Sequence, residues 1–315
     1  LTSTGHISEH IEFADGGLLL VGTYVTAESA FVGKTLADIR EAVDEWEWLV
    51  VAIVRKGETF IARGGTSLQP GDHILFMATA GSTDEPYEML GLSDSPAEKV
   101  VILGGTRLAS MTAGMLAERG VSTTIVDGDR ARCRHFAETL PDTVVVCGDP
   151  TDPKVLTEVG IDERDAVLAL TGWDGQNLLG CLVAKSIGAG EVIARFSNTD
   201  YVGMLGGFGI DATVSARLSA ANEILRFVRR GVIFSAVTIP GSDAEALELE
   251  VSPGSPACGK SLADLHLSKS LIVGGVQRNG QAFVPRGNTV IREGDHLIVI
   301  ALPDGIRIAE KLSGE

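Results

Sequence analysis

The amino-acid sequence predicts an α/β protein in which a doubly wound parallel sheet is flanked by two small modules of mixed helix and strand. Two observations predict this organisation. An apolar run, a glycine turn, a helical pattern and a second apolar run follow one another between residues 100 and 129. A sequence repeat occurs once before and once after this segment. Because alternating strands and helices form parallel sheets that helices cover, the central segment is predicted to be Rossmann-like.

The turn of the central segment has the chemistry of a dinucleotide site. The apolar strand 100–103 leads into Gly104, and a second strand ends at Asp127. Glycine lets backbone amides approach a pyrophosphate, and the N-terminus of the next helix favours negative charge. A carboxylate about 20 residues later is placed to bind a ribose hydroxyl. The predicted phosphate-binding residues are Gly104, Gly105, Thr106, Arg107 and Leu108, and the predicted ribose ligand is Asp127.

Thr106 departs from the G-x-G-x-x-G/A pattern, because it stands where the second glycine is expected. A β-branched side chain at that position would crowd the pyrophosphate and limit nucleotide affinity. Small residues are common at the first strand-to-helix turn of any doubly wound sheet, so a purely structural role for the turn stays open. The placement of Asp127 favours the nucleotide interpretation.

The rest of the central segment alternates strands and helices with short loops. The predicted strands are 143–147, 166–170, 192–196 and 212–214, and the predicted helices are 130–140, 152–160, 174–187 and 201–208. Ligands of such sheets bind at the carboxyl ends of the strands, which adds Asp149, Thr171 and Arg195 to the candidate site. An amphipathic helix over 215–230 is predicted to pack on a partner subunit or on the following module.

The two flanking modules are duplicates of each other. GKTLAD at 33–38 returns as GKSLAD at 259–264, RKG at 55–57 as RNG at 278–280, and PGDHI at 70–74 as EGDHL at 293–297. In the first module we predict strands at 17–25, 48–55, 59–62 and 73–77 and a helix at 35–43. The predicted domains are therefore residues 1–95, 96–235 and 236–315.

Composition narrows the range of partners. The chain of 315 residues has 42 acidic and 26 basic residues and a formal net charge of −16, which disfavours nucleic acid and anionic lipid as partners. No apolar stretch approaches the roughly 18 residues of a membrane-spanning helix. The first ten residues have neither the basic nor the apolar region of a secretory signal.

Cysteine and histidine spacing favours neither a disulfide framework nor a metal site. The four cysteines form no C-x-x-C pair, and a reducing cytoplasm fits this pattern best. His6, Glu9 and His10 match an H-x-x-E-H zinc motif, but no further ligand is evident nearby. We therefore expect no metal.

Several stretches together resemble one family, the TrkA-type regulatory subunits of potassium-uptake systems, which are built from RCK domains. The stretches that carry the resemblance are VILGG at 101–105, GDPTD at 148–152, DAVLALT at 165–171, Asn177–Leu178, Ala184–Lys185, VIAR at 192–195 and the Gly-Asp-His sequence of both modules. In that family N-domains and C-domains alternate in the order N, C, N, C. This chain is similar to the last three, so we expect the first N-domain to be lacking.

The resemblance implies a cytoplasmic, non-catalytic subunit that binds NAD(H) or ATP/ADP. It also implies a homo-oligomer, a dimer or tetramer, held at the inner face of the cell membrane by a Trk- or Ktr-type potassium-conducting partner. The implied site has Gly104 and Ala109 at the phosphate turn, Asp127 on the ribose, Asp149 and Thr171 beside the adenosine, and Arg132 near the phosphates or ribose. Gly175 departs from the family, which commonly has an acidic residue there.

Two other functions stay open from the residues alone. A nicotinamide-dependent oxidoreductase would need a proton-transfer residue opposite the hydride path, and neither module offers a convergent group of His, Lys and Asp. A scaffold that has lost its nucleotide is compatible with Thr106. Nucleotide titration distinguishes the scaffold from the regulatory subunit.

Overall fold

A computed structural model describes residues 7–27, 29–41, 47–90, 97–198, 209–217, 219–221, 224, 233–239 and 241–314. The chain divides into two compact units, residues 95–217 and residues 1–94 with 218–315. The first of these is called the central unit below. The predicted domain boundaries at 95/96 and 235/236 stay predictions. Most of the amphipathic helix predicted at 215–230, and all of the helix predicted at 201–208, lie outside the described residues.

The central unit is a parallel sheet with helices on both faces. Its strands are β6 (Lys99–Leu103), β7 (Ser122–Asp127), β8 (Thr143–Cys147), β9 (Asp165–Ala169), β10 (Glu191–Arg195) and β11 (Ala212–Val214). Its helices are α3 (Arg107–Glu118), α4 (Arg130–Thr139), α5 (Pro153–Val159) and α6 (Asp174–Ile187). Within the described residues the sheet order is β11-β10-β9-β6-β7-β8, which confirms the predicted doubly wound sheet.

Two apolar layers hold the central sheet between its helices. Ala109, Ala113 and Phe136, from α3 and α4, pack with one face of the sheet. Leu156 and Cys181, from α5 and α6, pack with the other face. This two-sided burial explains the continuous apolar runs of the strands, and it brings their carboxyl ends together at one edge.

The first module (residues 7–90) is an antiparallel sheet with short helices. It contains β1 (Ile7–Phe13), β2 (Leu18–Tyr24), α1 (Leu36–Glu41), β3 (Trp48–Arg55), β4 (Glu58–Ile61), β5 (His73–Thr79) and α2 (Asp84–Leu90). The second module (residues 233–314) contains β12 (Ile233–Thr238), β13 (Glu245–Glu250), β14 (Leu271–Arg278), β15 (Gln281–Phe283), β16 (His296–Ala301) and α7 (Pro303–Ser313). Over the described residues, the sheet orders β1-β2-β5-β3-β4 and β12-β13-β16-β14-β15 are equivalent, as the repeat predicts.

Two elements of the first module escaped sequence analysis, which placed its first strand at residue 17. Strand β1 is an edge strand that pairs with β2, and its polar residues hide the strand pattern because an edge tolerates them. Helix α2 contains Pro86 in its first turn, where proline is compatible with a helix.

The two modules pack on each other through one shared apolar cluster. Leu18 and Met77 of the first module lie in this cluster with Ala246 and Ile298 of the second. Arg63 donates hydrogen bonds of 2.9 Å to the carbonyls of Ser268 and Leu271 across the contact. Each module alone would expose an apolar face of its sheet. The two modules therefore form a single compact unit.

Candidate functional site

The carboxyl ends of β6, β7, β8 and β9 surround a cleft of about 790 Å³. This volume lies in the range of small-molecule sites. The residues that line the cleft are Gly104, Thr106, Asp127, Gly128, Asp129, Arg130, Arg132, Cys147, Gly148, Asp149, Pro150, Thr171, Gly172, Trp173 and Gln176. The strands end here because the chain turns into the next helix at each of these points.

Gly104 allows the turn after β6 to pass close to the end of β9. Its φ of +102° is rarely adopted by residues with a side chain, and a Cβ would lie 2.7 Å from Cγ2 of Thr171. At Gly105 a Cβ would lie 2.7 Å from the ring of Phe136. Close packing with the neighbouring chain therefore requires both glycines.

Thr106 caps helix α3 and ties it to the sheet. Its Oγ1 accepts a 3.2 Å hydrogen bond from the amide of Ala109 and donates a 2.8 Å bond to the carbonyl of Leu170. Residues with a short side-chain oxygen are favoured at this N-cap position. The residue that departs from the glycine pattern thus has a structural role, while it also lines the cleft.

Asp127 is buried beneath the turn, with 7% of its side chain exposed. Oδ2 accepts a 2.5 Å hydrogen bond from the amide of Gly105. Oδ1 accepts bonds from the amide of Asp129 at 2.8 Å and from Nε of Arg132 at 3.0 Å. Asp127 therefore braces the glycine turn and holds the Arg132 guanidinium at the cleft, in addition to its predicted place at the ribose.

Two further carboxylates of the cleft lie at the starts of loops or helices. Asp129 caps α4, and hydrogen bonds from the amides of Arg132 and Ala131 lower its pKa. Hydrogen bonds from the side chain and amide of Thr151 lower the pKa of Asp149. Both groups are therefore ionised at neutral pH, and the cleft combines them with Arg130 and Arg132. This mixture suits a ligand with both hydroxyls and phosphates.

Asn177 organises the side of the cleft at β9. Its Oδ1 accepts hydrogen bonds from the amide and the hydroxyl of Thr171 at 2.8 and 2.6 Å, and its Nδ2 donates to the carbonyl of Arg195 at 2.7 Å. Nη1 of Arg195 donates to the carbonyl of Thr171 at 3.0 Å. Arg195 is thus oriented toward the protein backbone.

The structure brings together part of the predicted site. The predicted residues that line the cleft are Gly104, Thr106, Asp127, Arg132, Asp149 and Thr171. Within the described part of the chain, the lining does not include Gly105, Arg107, Leu108 or Arg195. Five further lining residues were not predicted, although each ends a predicted strand or lies a few residues after one: Asp129, Arg130, Cys147, Trp173 and Gln176. The rule that ligands bind at the carboxyl ends of strands could have identified them.

The zinc motif considered at the chain start has a different arrangement. His6 lies outside the described residues, and Oε2 of Glu9 lies 2.8 Å from Nε2 of His73. Among the described residues there is no cluster of three or more His, Cys, Asp or Glu side chains that could hold a metal. No helix in the described ranges is both long and apolar enough to cross a membrane.

Two protein families match the central unit and the two modules. The TrkA-N domain family matches residues 100–216, and the TrkA-C domain family matches residues 20–91 and 246–314. The Trk system potassium uptake protein TrkA homolog of Archaeoglobus fulgidus is 32% identical over 306 residues, which are 96% of this chain and 68% of that protein. The chain belongs to the TrkA family. The TrkA protein of Azorhizobium caulinodans is also 32% identical over 304 residues, 96% of this chain.

The chain spans 66% of the length of the Azorhizobium TrkA protein. Among solved structures, the GsuK channel is similar with a TM-score of 0.49 and 20% identity over 97% of this chain and 54% of that one. A GsuK channel bound to NAD has a TM-score of 0.47 and 20% identity, over the same shares of the two chains. The TrkA-N match contains the whole cleft, and the two TrkA-C matches cover most of the repeated modules.

Proposed function

We propose that this chain is a nucleotide-responsive regulatory subunit that controls potassium transport through a membrane-embedded Trk- or Ktr-type partner. Family membership supports potassium uptake, because the relatives are named as proteins of the Trk potassium uptake system. The observation that carries the nucleotide proposal is the cleft itself. It joins a glycine turn, the buried Asp127 and the cations Arg130 and Arg132 at the edge where such sheets bind ligands.

The proposed ligand is an adenine nucleotide, NAD(H) or ATP/ADP. Its phosphates would lie at the turn 104–108 and near Arg132, and its ribose at Asp127. Asp149 and Thr171 would border the adenosine. The mixed charges of the cleft support this arrangement, because arginines favour phosphates and carboxylates accept hydrogen bonds from ribose hydroxyls.

Calorimetric titration of the intact protein with NADH and with ATP tests the binding proposal. Asp127→Ala should weaken nucleotide binding by about 1–3 kcal/mol, because hydrogen bonds to a charged group are lost. Asp162→Ala is the matched control, since Asp162 is an exposed carboxylate beside the opposite, amino end of β9. Equal affinity in wild type and Asp127→Ala would show that the nucleotide binds elsewhere.

Variants of Thr106 test whether its side chain limits the affinity for nucleotide. Thr106→Gly is predicted to tighten binding by removing the crowding side chain, but it also removes the N-cap hydroxyl of α3. Thr106→Ser keeps the hydroxyl and removes only the methyl group, so it separates the two effects. Tighter binding in both variants supports crowding, and unchanged binding in both contradicts it.

A scaffold without nucleotide is the second candidate, because Gly105, Asp129 and Arg132 already engage the carboxylate of Asp127. Absence of binding heat, with potassium uptake still dependent on the chain, would favour the scaffold.

We propose a non-catalytic role, and turnover of NADH with a substrate would favour an oxidoreductase instead. The proposed homo-oligomer, a dimer or tetramer at the inner face of the membrane, is tested by sedimentation and by co-purification with the membrane subunit.

A further inference from the structure

Two cysteines lie beside each other at the edge of the cleft. Cys147 is the last residue of β8; it is exposed and lines the cleft. Cys133 lies in α4 and is 7% exposed. Neither thiol has a part in the proposed nucleotide contacts. Where an accessible thiol lies next to a buried one, a reagent can first react with the accessible thiol. The buried thiol can then react with the modified cysteine.

Asp127 brings the two cysteines together. Cys147 is the direct neighbour of Asp127 in the parallel pairing of β7 and β8. The Sγ of Cys133 donates to the carbonyl oxygen of Asp127 at 3.1 Å. Helix α4 packs against β8, and after burial the Cys147 side chain is the next cause that raises the pKa of Cys133. Asp127 thus adjoins both thiols, and a disulfide requires two thiols that can approach each other.

The two thiols differ in reactivity. Burial, followed by the hydrogen bond with Cys147, raises the pKa of Cys133 to about 11. Cys133 is therefore a thiol at neutral pH and a poor first nucleophile, because the thiolate is the reactive form. Cys147 is the thiol that a dissolved reagent can reach.

We propose that Cys133 and Cys147 form a redox modification site that closes to an intramolecular disulfide when it reacts with a small-molecule disulfide. The Cys147 thiolate attacks one sulfur of the small disulfide, which forms a mixed disulfide and releases one small thiolate. Cys133 loses its proton to solvent and attacks Sγ of Cys147, which releases the second small thiolate. The protein loses two electrons and two protons, and the small disulfide is reduced to two thiols.

The other two cysteines do not share this arrangement. Cys181 is buried in α6, and burial raises its pKa to about 12. Cys258 lies in the second module, within the other compact unit. In a reducing compartment a disulfide is usually transient and redox-sensing. A disulfide between Cys133 and Cys147 would therefore respond to the redox state beside the cleft. The crosslink would tie α4 to the end of β8.

Incubation of the intact protein with oxidised glutathione, followed by non-reducing peptide mass mapping, tests the proposal. Wild type should yield a Cys133–Cys147 crosslink with a loss of two hydrogens and without retained glutathione. Cys133→Ser should instead accumulate glutathione on Cys147, because the second step is removed. Serine keeps a donor for the carbonyl of Asp127, and circular dichroism checks that the variant is folded.

Two further variants complete the test. Cys147→Ser, a change at an exposed position, should give neither crosslink nor adduct at this pair. Cys258→Ser should leave the crosslink at its wild-type yield. A stable glutathione adduct on Cys147 of wild type, or no reaction at Cys147, would overturn the proposal.

Discussion

The first and second modules have equivalent sheets but different interiors. In the first module Phe31, Trp48 and Phe76 are fully buried and stack or meet edge to face. At the equivalent positions of the repeat the second module has Ala257, Leu271 and Val299, which are buried as well. The same sheet order therefore accommodates an aromatic core and an aliphatic core.

The helix α7 contributes aliphatic side chains to the core of the second module. Ala309 and Leu312 of α7 pack into the core of the second module. The apolar volume of such a core can thus come from aromatic or from aliphatic side chains, because a core is stabilised by its total close packing.

Both modules contain an equivalent ion pair between an arginine at the end of one strand and an aspartate directly before another strand. Arg55 donates to Asp72 through Nε and Nη2 at 2.6 Å, and Arg278 donates to Asp295 at 2.7 Å. Both aspartates are 1% exposed. The modules therefore share the interactions that position the backbone and differ in the side chains that fill the space.

The largest predicted effect tests the difference between the cores. Trp48→Ala should destabilise the protein by about 3–5 kcal/mol, because it removes a fully buried indole side chain and leaves a cavity. Leu271→Ala removes less volume and should cost less. Urea unfolding followed by circular dichroism measures both. Trp173→Ala is the matched control, since Trp173 is 77% exposed, and an equal loss in Trp48→Ala and Leu271→Ala would contradict the comparison.

The next prediction tests the shared ion pairs. Asp72→Ala and Asp295→Ala should each destabilise the protein by about 1–3 kcal/mol, because each leaves an arginine and a backbone amide without their acceptor. Urea unfolding of the two variants should give similar losses. A loss confined to one variant would show that the pairs are equivalent in geometry only.

A pH effect is predicted for the first module. Burial, followed by the charge of Glu9, raises the pKa of Tyr24 from 10.0 to about 12. The neutral phenol is favoured in the folded state, so its stabilising contribution is complete below pH 10 and is lost as the pH rises toward 12. Glu250 occupies the equivalent position of the second module. The wild-type protein should therefore lose stability over this interval more steeply than Tyr24→Phe, as measured by unfolding at fixed pH values.

The smallest predicted effect concerns the ring beside each ion pair. The guanidinium of Arg55 lies 5.5 Å from the ring centre of Phe60, and that of Arg278 lies 5.6 Å from that of Phe283. Phe60→Leu and Phe283→Leu should each cost about 0.5–1 kcal/mol. Precise measurement of the free energy of unfolding by urea denaturation checks this prediction. A variant more stable than wild type would show that the contact between guanidinium and ring is not attractive.

Local sequence patterns determined the order of elements in the central unit. The strand at Thr143–Cys147 and the helix at Asp174–Ile187 have the predicted bounds. Apolar periodicity and glycine turns act over a few residues, so they can be read without knowing the fold. The duplication was also evident, because each copy repeats turn residues that local backbone geometry requires, such as Gly57 and Gly280 at positive φ.

Only the tertiary structure decided which of these groups meet. Asp127 was expected at the ribose, and the fold adds its contacts with Gly105 and Arg132. Cys133 and Cys147 lie 14 positions apart in sequence and become neighbours because α4 returns over the sheet beside β8. Such contacts depend on the three-dimensional packing of whole elements, which the periodicity of one segment does not specify.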